Sequence, residues 1–133
     1  MFMKKTNLLN SEISFAIAKM GHTDQLTICD CGLPISESNY RIDLAVTEGI
    51  PSFLAVLDSV LTELEVQKIY LAREIEQASP ELMKAVIKRF PDTPVEFIDH
   101  EDLKKQVKLS KAVIRTGECT SFANIILESG VIF

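Results

Sequence analysis

No apolar run in this chain approaches the roughly 18 residues that a bilayer-spanning helix requires. The N-terminal M-F-M-K-K-T-N-L-L-N carries two lysines but no long apolar core behind them, so it does not read as a signal peptide. Both absences point to a cytoplasmic protein without a membrane partner. Basic residues are outnumbered, 14 against 19 acidic, and they are scattered. A surface that tracks phosphates needs Lys and Arg clustered, so nucleic acid is not an expected partner. Cysteine is scarce: Cys29, Cys31 and Cys119 are odd in number, follow no disulfide framework, and are expected to be reduced. No Pro/Gly/Ser-rich linker, repeat or low-complexity stretch interrupts the chain, which predicts one domain over residues 1–133. P-loop, G-x-G-x-x-G, nucleophile-elbow and zinc-protease motifs are all absent.

What is present is the balance of a soluble globular protein, 47% hydrophobic and 25% charged. At this length a folded chain buries about two-thirds of its unfolded surface, enough for a sizeable core. Asn10 or Ser11 can cap a helix that puts Ile13, Ala16, Ile17 and Met20 on one face, with Gly21 to stop it. Gln25 to Asp30 reads as a strand with Leu26 and Ile28 on one side. Arg41 to Val46 alternates as a second strand. Pro51 suits the first turn of a helix carrying Phe53, Leu54, Leu57, Val60, Leu61 and Leu64. Lys68 to Leu71 reads as a buried strand. Ser79-Pro80-Glu81 opens a helix with Leu82, Met83, Val86 and Ile87 inward. Val95 to Ile98 is a short strand. Asp99 can cap a helix from His100 to about Val107, and Ala112 to Arg115 is a strand. Periodicity does not decide between helix and strand for Asn124 to Leu127.

Strands alternating with helices predict a three-layer α/β/α domain with a largely parallel or mixed sheet. In such sheets ligands collect at the carboxyl ends of the strands. Asp30, the His100 region and the segment from Arg115 to Asn124 would all lie just past strand ends, which makes them one candidate constellation.

Each chemically capable residue has a plain reading beside its functional one. His22 follows a glycine at a helix end, where an imidazole can bind the last helical carbonyls. It is equally a general acid/base, since histidine titrates nearest neutral pH. Asp24 can orient it or merely close a turn. Asp30 can close an Asx-turn, or hold a polyol hydroxyl. Burying it between two cysteines costs free energy unless it finds partners. His100 is either helix-start polarity or a ligand contact. Cys29 and Cys31, spaced C-x-C, read as small buried hydrophobes rather than metal or redox ligands.

The segments L-N-S-E-I-S, G-H-T-D, C-D-C-G-L-P-I, R-I-D-L-A-V, G-I-P-S-F, A-V-I-R-T-G-E-C-T and A-N-I-I-L-E-S-G-V-I-F resemble those of the D-ribose pyranases, and in part the related fucose mutarotases. The likeness runs from about residue 4 to Phe133. It implies a cytoplasmic isomerase of carbohydrate metabolism, serving ribose catabolism, that interconverts the pyranose and furanose forms of D-ribose without a metal or other cofactor. It implies His22 as the catalytic acid, and Asp30, His100 and the tripeptide Phe122, Ala123 and Asn124 as sugar-binding positions. The family has tyrosine where this chain has Phe122, so that hydroxyl is missing here. The resemblance also implies a homodecamer of two stacked pentameric rings, with sites across subunit boundaries. The apolar tail G-V-I-F fits burial against a neighbour or in the protomer's own core. Two other readings stay open: a sugar-binding or assembly protein without useful catalysis, motivated by Phe122, and a metal or redox protein using Cys29, Cys31 and Cys119.

Overall fold

Apolar positions at helical and strand spacing sort into eleven elements in a computed structural model that describes residues 3–133. Along the chain these are α1 (Ser11–Lys19), β1 (Gln25–Cys29), β2 (Arg41–Asp43), α2 (Phe53–Leu61) and β3 (Val66–Ala72). Then come α3 (Ile75–Ala78), α4 (Pro80–Lys88), β4 (Val95–Ile98), α5 (His100–Val107), β5 (Ala112–Arg115) and β6 (Ile125–Ser129). The Asn10 side chain accepts from the Ile13 N–H and starts α1. Ser52 does the same for α2 through the Ala55 N–H. Pro51 therefore stands one residue before the cap rather than in the first turn. Pro80 does occupy the first turn of α4, where its missing N–H costs nothing.

The strands form one sheet in the order β2-β5-β1-β6-β3-β4. β1 pairs parallel with β5 and β5 with β2; β3 pairs parallel with β4. β6 runs antiparallel between β1 and β3, with Ile125 opposite both Ile28 and Leu71. The sheet is thus mixed, as expected, and five of its six described strands point the same way.

Side chains alternate across the sheet. Leu26, Ile28, Ile69, Leu71, Ile114, Ile125 and Leu127 join one core cluster with residues of α1, α2 and α4. Cys29, Ala72, Val113 and Ile126 join a smaller one with Leu103 and Val107 of α5. These two cores make the three layers. β6 is covered on both faces at Ile125, Ile126 and Leu127, so these apolar residues follow one another without alternation and carry no periodic signature. Two local differences have simple causes. β2 stops at Asp43, whose carboxylate accepts from the Ala45 N–H and turns the chain, leaving Val46 exposed. α3 is a single turn between β3 and α4, too short to show a helical period.

Because Leu127 lies at the sheet's centre with no exposed surface, Leu127→Ala is expected to cost about 2–5 kcal/mol. Urea unfolding midpoints of the two proteins measure it.

Candidate functional site

Parallel strands deliver their successors to one edge of the sheet. At that edge Asp30 follows β1, His100 follows β4, and residues 116–124 bridge from β5 to β6. Together they line a cavity of about 490 Å³ whose polar and aromatic walls include Asp30, His100, Lys104, Glu118, Phe122 and Asn124. Asp30, His100, Phe122 and Asn124, all expected just past strand ends, are brought together here by the fold.

Asn124 is almost fully buried. Its side-chain oxygen accepts from the Asp30 N–H at 3.0 Å, which locks the start of β6 to the end of β1. The Asp30 carboxylate accepts from the Gly32 N–H at 3.0 Å, closing the Asx-turn. Burial pushes the Asp30 carboxyl above the ordinary aspartate range, and these hydrogen bonds oppose that shift.

The His100 N–H sits between the two oxygens of Glu74, each 3.1 Å away. Asp99, the expected cap, instead pairs with Arg73 at 2.9 Å. Glu74, on the turn after β3, therefore anchors the start of α5. The His100 ring meets Phe122 edge-on, with centroids 5.0 Å apart and planes at 82°. Its Nδ1 is buried without a hydrogen-bond partner among the described residues. Buried polar atoms of that kind are normally satisfied by water or ligand. Phe122 has φ +61°, an unusual left-handed conformation for a bulky residue, of the sort that concentrates at functional sites. Ala123 is fully buried in the core and is not part of the cavity wall, so its contribution is through backbone and spacing.

His22 is not at this cavity. It precedes β1 at the opposite edge of the sheet, exposed, on the order of 20 Å from Asp30 at strand rise. Asp24 closes the preceding turn by accepting from the Gly21 N–H, and does not orient the imidazole. Gln67 does so: its Oε1 lies 2.9 Å from His22 Nε2, while its Nε2 donates to Glu128 Oε2 at 2.7 Å. With the amide NH₂ committed to Glu128, the Gln67 oxygen must accept, so His22 Nε2 carries the proton and Nδ1 is the free basic atom.

Two further residues escaped sequence reasoning. Glu118 accepts from the Phe53 N–H at 3.0 Å and from Thr120 Oγ1 at 2.6 Å, pinning the 116–122 loop to the start of α2. Gly117 beside it packs so close to the Ile50 backbone that no Cβ fits. Cys31 is not a buried hydrophobe. β1 ends at Cys29, and the Cys31 thiol turns toward Cys119 instead of the core. Cys29 does pack in the core, where burial pushes its thiol up to about 12.

The fold and cavity define a small α/β protein that presents a polar, aromatic-walled pocket at the carboxyl ends of a mixed sheet. The chain belongs to the RbsD / FucU transport protein family, whose model matches residues 3–132. It is 56% identical over 131 residues to a D-ribose pyranase of Lactiplantibacillus plantarum, covering 98% of this chain and all of that one. A D-ribose pyranase of Clostridium perfringens is 54% identical with the same coverage. The structure of Bacillus subtilis RbsD complexed with D-ribose superposes with a TM-score of 0.95 at 40% identity, over 98% of this chain and all of that one. The fucose mutarotase of Streptococcus pneumoniae in complex with L-fucose shares the fold, with a TM-score of 0.72 at 21% identity over 98% of this chain and all of that one.

The hydrogen bonds to Glu118 hold its carboxyl below the ordinary glutamate value of 4.5, Thr120 contributing most. A depressed folded value means stabilisation that is present above 4.5 and lost as pH falls through it. Glu118→Gln is expected to lower stability by about 1 kcal/mol at neutral pH. Denaturation series at falling pH should show that difference shrinking below 4.5.

Proposed function

We propose that this protein is an isomerase that interconverts the pyranose and furanose forms of D-ribose. The observation that carries the reading is the joint one of pocket and relatives. Four of the pocket's groups, Asp30, His100, Phe122 and Asn124, sit together in a chain that matches D-ribose pyranases end to end at more than half identity.

Changing ring form requires a hemiacetal to open to the free aldehyde and to close again through a different hydroxyl. One group takes the proton of the anomeric hydroxyl, and one gives a proton to the departing ring oxygen. An imidazole titrates near the working pH and suits both steps, contributing roughly 10²–10⁴-fold. His22 is that group in this reading. Its Nε2–H is fixed by Gln67, which leaves Nδ1 to exchange the proton. Asp30 accepts from sugar hydroxyls. His100 in the pocket wall meets another, and Asn124 holds Asp30 in place while facing the pocket. The Phe122 ring covers the apolar face of the sugar, and Ala123 sets its spacing from Asn124. No cofactor enters the mechanism.

His22 lies far from its own chain's pocket, so the reading requires His22 of a neighbouring subunit. We assign the protein to a homo-oligomer of the expected kind, a decamer of two pentameric rings, with each pocket completed across a boundary. Exposed Phe15, Val46, Ile50, Ile132 and Phe133 support this, because side chains so apolar gain free energy when a neighbour covers them. The tail is open to solvent in the single chain rather than buried in its own core. Among the described residues no helix is long and apolar enough to cross a membrane, and a cytoplasmic location is part of the same proposal. Sugar binding without catalysis is not favoured by these relatives.

Saturation-transfer NMR on D-ribose is expected to show faster pyranose–furanose exchange with the protein present. His22→Ala should lower that acceleration by roughly 10²-fold or more with ribose binding retained. Absence of acceleration by the parent protein contradicts the enzymatic reading. A full rate in His22→Ala contradicts the role of His22.

A further inference from the structure

The pocket wall carries a pair of thiols that ring opening does not use. Cys31 Sγ and Cys119 Sγ lie 3.4 Å apart, although 88 residues separate them in the chain. Both line the pocket, and both also line a second cavity of about 300 Å³ on the other side, beside Val46 and Arg115. The pair therefore stands in the partition between two cavities.

The backbone holds this approach in place. The Cys31 N–H donates to the Glu118 carbonyl at 2.9 Å, one residue from Cys119. Arg115 donates from Nε to the Cys31 carbonyl at 3.1 Å, and its Nη1 is 3.1 Å from both oxygens of Asp43. Glu118 in turn is fixed to α2 through the Phe53 N–H. A disulfide bond needs sulfurs about 2.05 Å apart, so closure is a movement of little more than an ångström between segments that already touch. Cys119 is exposed in the single chain, whereas Cys29 is fully buried.

We propose that Cys31 and Cys119 form a thiol–disulfide modification site, whose reactant is a low-molecular-weight disulfide and whose oxidised form clamps the pocket. The Cys119 thiolate attacks one sulfur of the reagent disulfide, whose S–S bond breaks and releases one thiolate. The Cys31 thiolate then attacks Cys119 Sγ in the mixed disulfide, forming the Cys31–Cys119 bond and expelling the second thiolate. Two protein thiols lose two protons and two electrons, and the reagent becomes two thiols. Cys31 adjoins Asp30 in one wall; Cys119 belongs to the loop that carries Phe122 and Asn124 in the other. Drawing the sulfurs together moves the Asp30 wall against the Phe122 wall. A misplacement of about an ångström at reacting groups is worth up to about 10²-fold in rate. The effect on rate rests on the ribose reading; the chemistry of the pair does not.

The test incubates the assembled protein with oxidised glutathione, maps disulfides by peptide mass spectrometry, and follows ribose exchange by NMR. The expected result is a Cys31–Cys119 link within one chain, with Cys29 unmodified. Exchange should fall about tenfold and recover with dithiothreitol. In Cys119→Ser the rate should be the same before and after oxidant, and Cys31→Ser, which lacks the resolving thiol, should stop at a Cys119–glutathione mixed disulfide. In the parent protein, glutathione adducts alone, or links only between chains, overturn the proposal. A mapped link with an unchanged rate overturns it as well. If the reduced protein does not accelerate exchange, the ribose reading falls, and the site is then decided by the mapped link alone.

Discussion

The hydrogen bond from the Asp30 N–H to the Asn124 side-chain oxygen, 3.0 Å long, joins the two walls of the pocket at their root. Asn124 is nearly inaccessible to water, so leaving that N–H and the amide unpaired would cost about 1–3 kcal/mol. The bond forms only because β6 enters the sheet antiparallel beside β1, bringing its first residues to the end where β1 finishes. Phe122, two residues earlier, must then turn through a left-handed conformation to make the entry. That turn sets its ring edge-on to His100. Sheet topology makes this contact, and the backbone conformation of Phe122 and the shape of the pocket go with it.

The opposite edge of the sheet has its own arrangement. Glu128 sits in β6 and Gln67 in β3, and their side chains form a chain that ends on His22. The same antiparallel strand therefore begins at the pocket and ends at the support of the proposed proton carrier. Within one subunit these ends face away from each other. An enzyme whose acid/base and sugar-holding groups lie on opposite edges has a physical reason to assemble, since no isolated protomer holds a complete site. In the proposed assembly the exposed apolar side chains serve the completion of the site as well as stability.

Much of this was legible in the sequence because every helix but the single-turn α3, and most strands, carry their own period and stop signals. Asn10 and Pro80 mark helix starts, and the alternation of Leu26 and Ile28 fixes the inward face of β1. Strand ends then located Asp30 and His100, as parallel sheets require. What was not legible depends on contacts between distant segments. β6 is buried on both faces and has no period. Gln67 reaches His22 across 45 residues. Glu74, 26 residues from His100, takes the cap that Asp99 gives up to Arg73. Cys31 escapes its strand by two residues and meets Cys119, which no spacing rule connects to it. The separation of His22 from the pocket was equally hidden, because a residue list does not say which edge of a sheet it occupies.

The central claim is that each site takes His22 from one subunit and Asp30 from its neighbour. Mixing His22→Ala with Asp30→Asn, dissociating both in mild denaturant and reassembling them together measures it directly. Each variant alone is expected to be nearly inactive. In the mixed assembly roughly a quarter of the sites draw an intact residue from each of two randomly combined subunits, and ribose exchange should recover to about that share of the parent rate. A mixture no more active than the two variants reassembled separately would contradict the account.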